Sequence, residues 1–496
     1  MQHQPATSRL LRTILAVAVT LAVAGGGFAA ELSDAELQNR RCFNCHGQRH
    51  IVDLDPHQRA GMVAGSDQPL PEQTGARPGL FIAPDALRGS VHESIACVSC
   101  HADTTELPHP ARLDNATCNT ACHAEQGAAF RRGVHAQALA AGAVNAPHCT
   151  DCHGGHDILP STARESRTHP LNIVKYCGDC HAQHRSELDN GKSPNAHVQD
   201  YLESVHGRAL VKAGLAVAAT CADCHGYHDV RASDDAESAT SRMHIPETCG
   251  KCHIGINETF QTSVHGENLA NGEAPVCTDC HAAHSISRSD TRQFERDLVN
   301  ECGACHNKPP RDNPNARTLY ETYRMSYHGQ VTRLGSDRAA RCSDCHGAHD
   351  IRPSDDPASR LYGLNRIETC AKCHPGANAN FAAFHPHADF RDGSRFPLLN
   401  GIWWYFIVLM SVTFSFWGLH TAAWFVRSIV ERIKHGPHPK PRPAAYAIAR
   451  FKLIDRVNHA LIIITFFGLT LTGMPLFFSD KPWAAMLAGA LGGVQA

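Results

Sequence analysis

The stretch that decides the fold reads Ser204-Val-His206-Gly207, then Cys221-Ala-Asp-Cys224-His225-Gly-Tyr-His228-Asp229, then Cys249-Gly-Lys-Cys252-His253. Each of its two cysteine pairs is closed by a histidine. A Cys-x-x-Cys-His sequence attaches c-type haem, because two thiols bond to the porphyrin and the adjacent histidine ligates the iron. The stretch therefore predicts a unit with two covalent haems.

All 22 cysteines of the 496-residue chain belong to such pairs, which leaves none for disulfides. Ten pairs have two intervening residues, and one pair has three. We count the longer one, because its cysteines would otherwise have no use of this kind, and so expect about eleven covalent haems. The motifs are Cys42, Cys45 and His46; Cys97, Cys100 and His101; Cys118, Cys122 and His123; Cys149, Cys152 and His153; Cys177, Cys180 and His181; Cys221, Cys224 and His225; Cys249, Cys252 and His253; Cys277, Cys280 and His281; Cys302, Cys305 and His306; Cys342, Cys345 and His346; and Cys370, Cys373 and His374.

Zinc sites and redox dithiols are the alternatives for a cluster of two cysteines and a histidine. Zinc needs four ligands and usually combines two cysteine pairs, so it leaves the regular trailing histidine unexplained. The pattern favours haem attachment.

The first thirty residues predict a secretory signal peptide. Two arginines, Arg9 and Arg12, precede an apolar run from Ile14 to Ala24 and then small residues. The run is too short to span a bilayer, which favours cleavage over an N-terminal anchor. Residues 31–397 then form an exported domain, on the periplasmic side of a bacterial inner membrane.

This exported domain has about 33 residues for each haem, too few for an ordinary core. We expect a mainly α and irregular fold, a multihaem cytochrome c domain in which short helices and loops pack on the haem faces. Ser33-Asp-Ala-Glu36 predicts a helix capping box at its start.

The two-haem unit recurs along the chain, and each copy carries extra histidines. A second histidine on the iron closes its sixth position, as electron carriers require. The pairing of these histidines with particular irons stays open at this stage. The predicted distal ligands are His92, His135, His206, His265 and His328 upstream of the motifs; His156, His184, His228, His284 and His349 three residues after a motif histidine; and His385 or His387 after the last motif. Those left as spare are His50, His57, His109, His148, His169, His197 and His244.

Over most of residues 42–374, these repeats resemble the doubled-CxxCH multihaem c-type cytochromes. The resemblance implies bis-histidine haems in an electron conduit, and leaves the terminal acceptor unspecified.

Residues 398–480 predict a membrane domain with two helices, at about 401–426 and 460–478, followed by a tail over 481–496. The segment between them is rich in arginine and lysine, so the positive-inside rule places it in the cytoplasm. The haem domain and the C-terminus then share the exported side.

One histidine lies in each predicted membrane helix, His420 and His459. Intramembrane histidines are rare and usually functional, so these two are candidate ligands of a non-covalent b-type haem. An interfacial histidine is the alternative, above all for His459.

Residues 400 to 480 are similar to the first two helices of quinol-oxidising cytochrome b subunits of the thiosulfate reductase and hydrogenase type. The likeness lies in Gly418-Leu-His420-Thr, Arg450-Phe-Lys-Leu-Ile-Asp-Arg-Val-Asn-His459 and Leu469-Thr-Leu-Thr-Gly473-Met-Pro. That family usually has four or more helices and two b haems, so we expect a further membrane subunit, unless the sequence is a fragment.

Together these features predict a membrane-anchored cytochrome that passes electrons between the quinone pool and other redox proteins. A multihaem reductase of nitrite, hydroxylamine or a sulfur oxyanion is the enzyme alternative, and a haem wire on a haem-free membrane anchor is the third. The formal net charge of −2 gives no indication of nucleic-acid binding.

Overall fold

A computed structural model describes residues 33–64, 78–110, 113, 116, 118, 122–182, 194–309, 314, 316–436 and 451–494. The predicted signal peptide over residues 1–30 lies outside these ranges, as does His184. The described chain is mostly helical and contains no β-strand, only an isolated bridge between Ala64 and Pro110.

Helices of the haem-motif region are short, as expected for a chain interrupted by glycine and proline. Their bounds are α1 Asp34–His46, α2 Pro56–Ala60, α3 Cys97–Cys100, α4 Ala124–Arg132, α5 Val134–Ala140, α6 Cys149–His153, α7 Pro170–His181, α8 Pro194–Glu203, α9 Val205–Gly207, α10 Cys221–His225, α11 Ile245–Gly250, α12 Ile254–Gln261, α13 Val264–Glu267, α14 Cys277–His281, α15 Arg292–His306, α16 Leu319–Met325, α17 Tyr327–Arg333, α18 Cys342–His346, α19 Gly363–Ala371 and α20 Ala379–Ala382. A π-helical turn spans Arg208–Lys212, and 3-10 turns span Arg49–Val52, Pro78–Leu80, Ala102–Thr104 and Leu269–Asn271.

The predicted capping box at the start of α1 is confirmed. The Ser33 hydroxyl accepts a hydrogen bond from the Glu36 amide at 3.3 Å, and the Glu36 carboxylate accepts one from the Ser33 amide at 2.8 Å. These bonds satisfy two amides that a helix start leaves without intrahelical partners. The helix then runs as far as His46, the histidine of the first motif.

Within the described ranges, the long apolar helices lie in the C-terminal region. Helix α21, Pro397–His435, and helix α22, Leu453–Phe477, are both long and apolar enough to cross a membrane. Both start before the predicted apolar stretches do: α21 adds Pro397-Leu-Leu-Asn400, and α22 adds a more polar segment from Leu453 to His459. A third helix, α23, spans Pro482–Ala490 in the segment expected to be a tail.

The chain divides into two compact units. The first comprises residues 1–198 and 209–238, and the second comprises residues 199–208 and 239–496. Buried apolar side chains are few in both, for example Val174 in the first and Leu334 in the second. This agrees with the expectation that the polypeptide forms little core of its own.

Candidate functional site

Four haem motifs each form a single helical turn. Helices α6, α10, α14 and α18 start at the first cysteine and end at the histidine. In each one, the aspartate inside the motif accepts a hydrogen bond from the amide of the residue before the helix. The four bonds are His148 to Asp151 at 2.6 Å, Thr220 to Asp223 at 2.7 Å, Val276 to Asp279 at 2.7 Å and Arg341 to Asp344 at 2.8 Å. A helical turn brings residues three and four apart onto one face, so both thiols and the imidazole point the same way.

Most of the motif histidines lie opposite a second histidine. Ten such pairs are recorded in the described residues, with ring centres 6.0–6.4 Å apart. Each pair contains one histidine from a Cys-x-x-Cys-His or Cys-x-x-x-Cys-His motif. The pairs are His46–His109, His92–His123, His101–His156, His135–His181, His153–His228, His206–His253, His265–His306, His281–His349, His328–His374 and His346–His387.

This spacing fits two imidazoles on opposite sides of one metal ion. A metal–imidazole bond is about 2.0–2.1 Å for zinc, and a ring nitrogen lies roughly 1.1 Å from its ring centre, so the two centres would be roughly 6.2 Å apart. Among the described residues, no group of three or more His, Cys, Asp or Glu side chains converges on a metal position. Two facing imidazoles are also the set of protein ligands that an iron already held by a porphyrin would require.

Pairs of one class join the two ends of the same repeat. The histidine that opens the repeat, such as His206 in Ser204-Val-His206, faces the histidine of the second motif, His253. The other members of this class are His92–His123, His135–His181, His265–His306 and His328–His374, and the ring planes of the class are 39–57° apart. Such a site is complete within a single repeat.

A second class joins consecutive repeats. The first-motif histidine of one repeat, such as His153, faces a histidine three residues after the first motif of the next, His228. The pairs His101–His156 and His281–His349 follow the same rule. Their ring planes are 13–28° apart, closer to parallel than in the first class. The sequence left this pairing open.

Backbone hydrogen bonds fix the same register. The valine before an opening histidine donates its amide proton to the carbonyl two residues after a following histidine. The bonds are Val91 to Ile158 at 2.8 Å, Val134 to Val230 at 2.8 Å, Val205 to Ile286 at 2.9 Å and Val264 to Ile351 at 2.9 Å. Their recurrence shows that consecutive repeats contact each other in one repeated way.

The glycine after an opening histidine lies against the backbone. The Ser263 hydroxyl accepts the Gly266 amide at 3.2 Å and donates to the Phe260 carbonyl at 2.6 Å. A Cβ at Gly266 would overlap that carbonyl oxygen, and Gly207 and Gly329 are equally close to the preceding helix. This explains why Ser-x-His-Gly recurs as a block, since the serine caps the turn and the glycine permits it.

The cysteines of neighbouring motifs also meet. Hydrogen-bonded thiols join Cys177 to Cys221, Cys249 to Cys277 and Cys302 to Cys342. Each bond links the second motif of one repeat to the first motif of the next. At these three places, consecutive motifs are adjacent in space as well as in sequence.

Partial burial favours the neutral form of several paired imidazole rings. It lowers the pKa of His135, His206 and His265, and the partner imidazole lowers it further. Burial also raises the pKa of the Cys97 thiol to about 11, with Cys42 adding to the effect. A lowered histidine pKa favours the neutral ring, which is the form that binds a metal.

At the two ends of the region, the structure pairs one histidine that the sequence left as spare and one of two that it left open. His109, expected to be spare, faces His46 of the first motif at 6.0 Å. After the last motif it is His387 that faces His346, at 6.2 Å, whereas the His385 ring contacts Phe396 at 6.1 Å. A hydrogen bond between the Thr322 hydroxyl and His387 Nδ1, at 3.0 Å, orients the His387 ring. The repeated pattern indicates neither the pairing of His109 nor that of His387.

Two further predicted ligands, His225 and His284, lie within the described ranges. His225 ends helix α10, and burial followed by the neighbouring His181 lowers its pKa. His284 lies three residues after His281, near Ile286, whose carbonyl accepts the Val205 amide.

The membrane histidines are not brought together. His420 is exposed on helix α21 and its ring contacts Trp417 at 5.8 Å; His459 is exposed on helix α22. No ring contact joins the two within the described ranges. The b-type haem therefore stays a prediction from the sequence.

No family model matches the chain, and no curated protein and no solved structure matches it either.

Proposed function

We propose that this chain is a membrane-anchored multihaem c-type cytochrome that transfers electrons between the quinone pool and exported redox partners. The observation that carries the proposal is the set of histidine pairs, each of which includes a haem-motif histidine. Bound c-type haem would supply one-electron iron chemistry at each of these positions. The remaining roles belong to the residues of the chain.

The cysteines of each motif would hold the porphyrin by two thioether bonds, and the paired histidines would hold the iron from both sides. With two histidines holding each iron, neither water nor a small anion would find an open site there. This supports electron carriage over the reductase alternative, which needs an open position for substrate. Half-buried rings such as His153 and His228 would also limit solvent access to the iron, a factor that tunes its reduction potential.

Contacts between consecutive motifs support a conduit rather than a set of isolated centres. The thiol contacts of Cys249 with Cys277 and of Cys302 with Cys342 recur at the same point of the repeat. Haems attached to these cysteines would be neighbours in chain order within the second compact unit. The order of the haems in this relay would follow the order of their motifs along the chain.

The apolar helices support attachment to a membrane, with the haem domain on the exported side. Helix α23 follows α22 and packs on Leu334 of the haem-motif region, as expected if the C-terminus and that region lie on one side. The long exposed apolar surface of α21 leaves room for a further membrane subunit. Quinol oxidation and a b-type haem at His420 and His459 rest on the resemblance to cytochrome b subunits.

The test measures the number of covalently bound haems and the spin state of their iron. Purified mature protein should carry eleven haems that survive acidified-acetone extraction, counted by intact mass. Ten haems would identify Cys118 and Cys122 as the empty pair, and nine or fewer would reject the count.

Electron paramagnetic resonance of the oxidised protein should show almost wholly low-spin iron, with little carbon monoxide binding after reduction. A strong high-spin signal with rapid binding would favour the reductase alternative.

A further inference from the structure

We infer that the His328–His374 site is the part of the haem domain that faces the membrane, and that helix α23 holds it there. The inference rests on the proposed function, since it concerns where one of the proposed haems lies. It is drawn from the contacts of three helices, α17, α22 and α23, all within the second compact unit.

Helix α17 carries the ligand and reaches the membrane helix. His328 is its second residue, and its ring centre lies 6.0 Å from that of His374. The helix packs against α22, one of the two apolar helices. Leu334, the residue after α17, is six positions from His328, about 9 Å at a rise of about 1.5 Å per residue. The site is therefore about one helix diameter from the membrane helix.

Helix α23 packs at the place where α17 meets α22, which we call the joint. Ala484 is fully buried and Ala488 nearly so, and both pack with Leu334 in the one apolar cluster recorded for the described residues. Leu476 near the end of α22, Phe478 just after it and Val494 pack against these residues. Because α23 starts five residues after α22 ends, it lies where the apolar helix leaves the bilayer. The cluster thus joins the haem domain to the membrane surface.

Polar contacts hold the joint in a fixed position. The Tyr323 hydroxyl donates to the Ala340 carbonyl at 3.1 Å and contacts the Thr332 hydroxyl at 3.2 Å, which ties α16 to α17. Lys481 and, more weakly, Arg333 keep the pKa of Asp480 below its usual value. Arg333 ends α17 and Asp480 precedes α23, so an attraction between charges crosses the same joint as the apolar cluster.

The experiment measures how near one haem lies to lipid headgroups. Full-length protein is placed in vesicles whose lipids carry a chelated dysprosium ion on the headgroup in both leaflets. His328→Ala should leave one high-spin haem, and dysprosium should make its resonance signal harder to saturate with microwave power. The matched control is His265→Ala, the corresponding histidine of the preceding repeat. We expect a clearly larger dysprosium effect for His328→Ala, and equal effects would overturn the inference.

The role of α23 is tested in the His328→Ala background. Ala484→Arg places a charge in the buried cluster and should abolish the extra dysprosium effect. Its neighbour Ala485 is exposed, so Ala485→Arg should leave the effect unchanged. Leu334→Ala, which adds no charge, should weaken the effect even if Ala484→Arg lowers haem content. An undiminished effect in both Ala484→Arg and Leu334→Ala would reject the role of α23.

If the proposed function is wrong, these experiments give a different result. In that case the unaltered protein would carry no covalent haem, and no variant would give a high-spin signal. Full haem content with equal dysprosium effects would instead reject only the placement of the His328–His374 site.

Discussion

His153 and His228 belong to consecutive repeats, yet their imidazole rings face each other with centres 6.0 Å apart and planes 13° from parallel. The second of these two repeats therefore completes a site in the first. The amide of Val134, next to the opening histidine His135, donates to the Val230 carbonyl at 2.8 Å and holds the same two segments together. One repeat alone would leave one of its two irons without a distal ligand.

The pairing predicts which haem opens when a distal histidine is removed. His228→Ala should open the haem on Cys149 and Cys152, not the haem on Cys221 and Cys224 that lies next to it in sequence. The measurement is the high-spin resonance of the oxidised protein, with covalent haem count unchanged. Adding Cys149→Ala and Cys152→Ala should remove that signal along with one haem. If the signal persists, the pairing across repeats is wrong.

At the front of the domain, His109 is predicted to be the distal ligand of the first haem. His46 Nδ1 lies 2.7 Å from the Leu80 carbonyl, and His109 Nδ1 lies 2.9 Å from the Pro110 carbonyl. A carbonyl oxygen only accepts, so each Nδ1 carries the proton and each Nε2 keeps a lone pair for a metal. His109→Ala should therefore create one high-spin haem that binds carbon monoxide when reduced.

The control for that variant is His50→Ala, since His50 follows the same motif by four residues and belongs to no recorded pair of facing histidines. It should leave the spectrum low-spin. A high-spin haem in His50→Ala, with none in His109→Ala, would reverse the assignment.

At the other end, His387 and not His385 should ligate the iron of the motif that ends at His346. The Thr322 hydroxyl orients the His387 ring, whereas the His385 ring packs on Phe396. His387→Ala should open one haem, and His385→Ala should not. Thr322→Val should shift the reduction potential or resonance position of one haem while keeping it low-spin, because it removes the hydrogen bond to the ligand. It also removes the bonds of the same hydroxyl to the Thr318 and Leu319 carbonyls at the start of α16. Redox titration with resonance detection would distinguish the two effects.

How far the sequence alone predicts these sites depends on how local each feature is. The cysteine motifs, their trailing histidines and the serine cap at Ser263 are local, and the repeats expose them. The partner of His153 is not local, because it lies in the next repeat and is fixed by backbone contacts such as Val134 to Val230. His109 lies outside the repeated pattern, so only its position beside His46 identifies it. Helix α23 was missed because its burial depends on Leu334, far away in the chain.

The recurring glycine gives a prediction about stability. Gly266→Ala would force a Cβ into the Phe260 carbonyl, and such overpacking typically costs about 1–3 kcal/mol. The thermal midpoint should fall, as followed by calorimetry on fully loaded protein. The control is Gly255→Ala in helix α12, where a Cβ meets open space and alanine favours the helix. A larger loss of stability in the control would contradict this explanation of the Ser-x-His-Gly block.

The last prediction concerns the membrane helices, where His420 and His459 are each exposed and do not contact each other. If a partner subunit assembles these helices around a b-type haem, membranes should yield extractable protohaem in addition to covalent haem. His420→Ala should abolish it and stop quinol from reducing the c-type haems, while dithionite still reduces them. The matched control is Thr421→Ala, the adjacent and similarly exposed position on α21. Equal quinol rates and no extractable haem would leave residues 398–480 as a simple anchor, with an electron donor elsewhere.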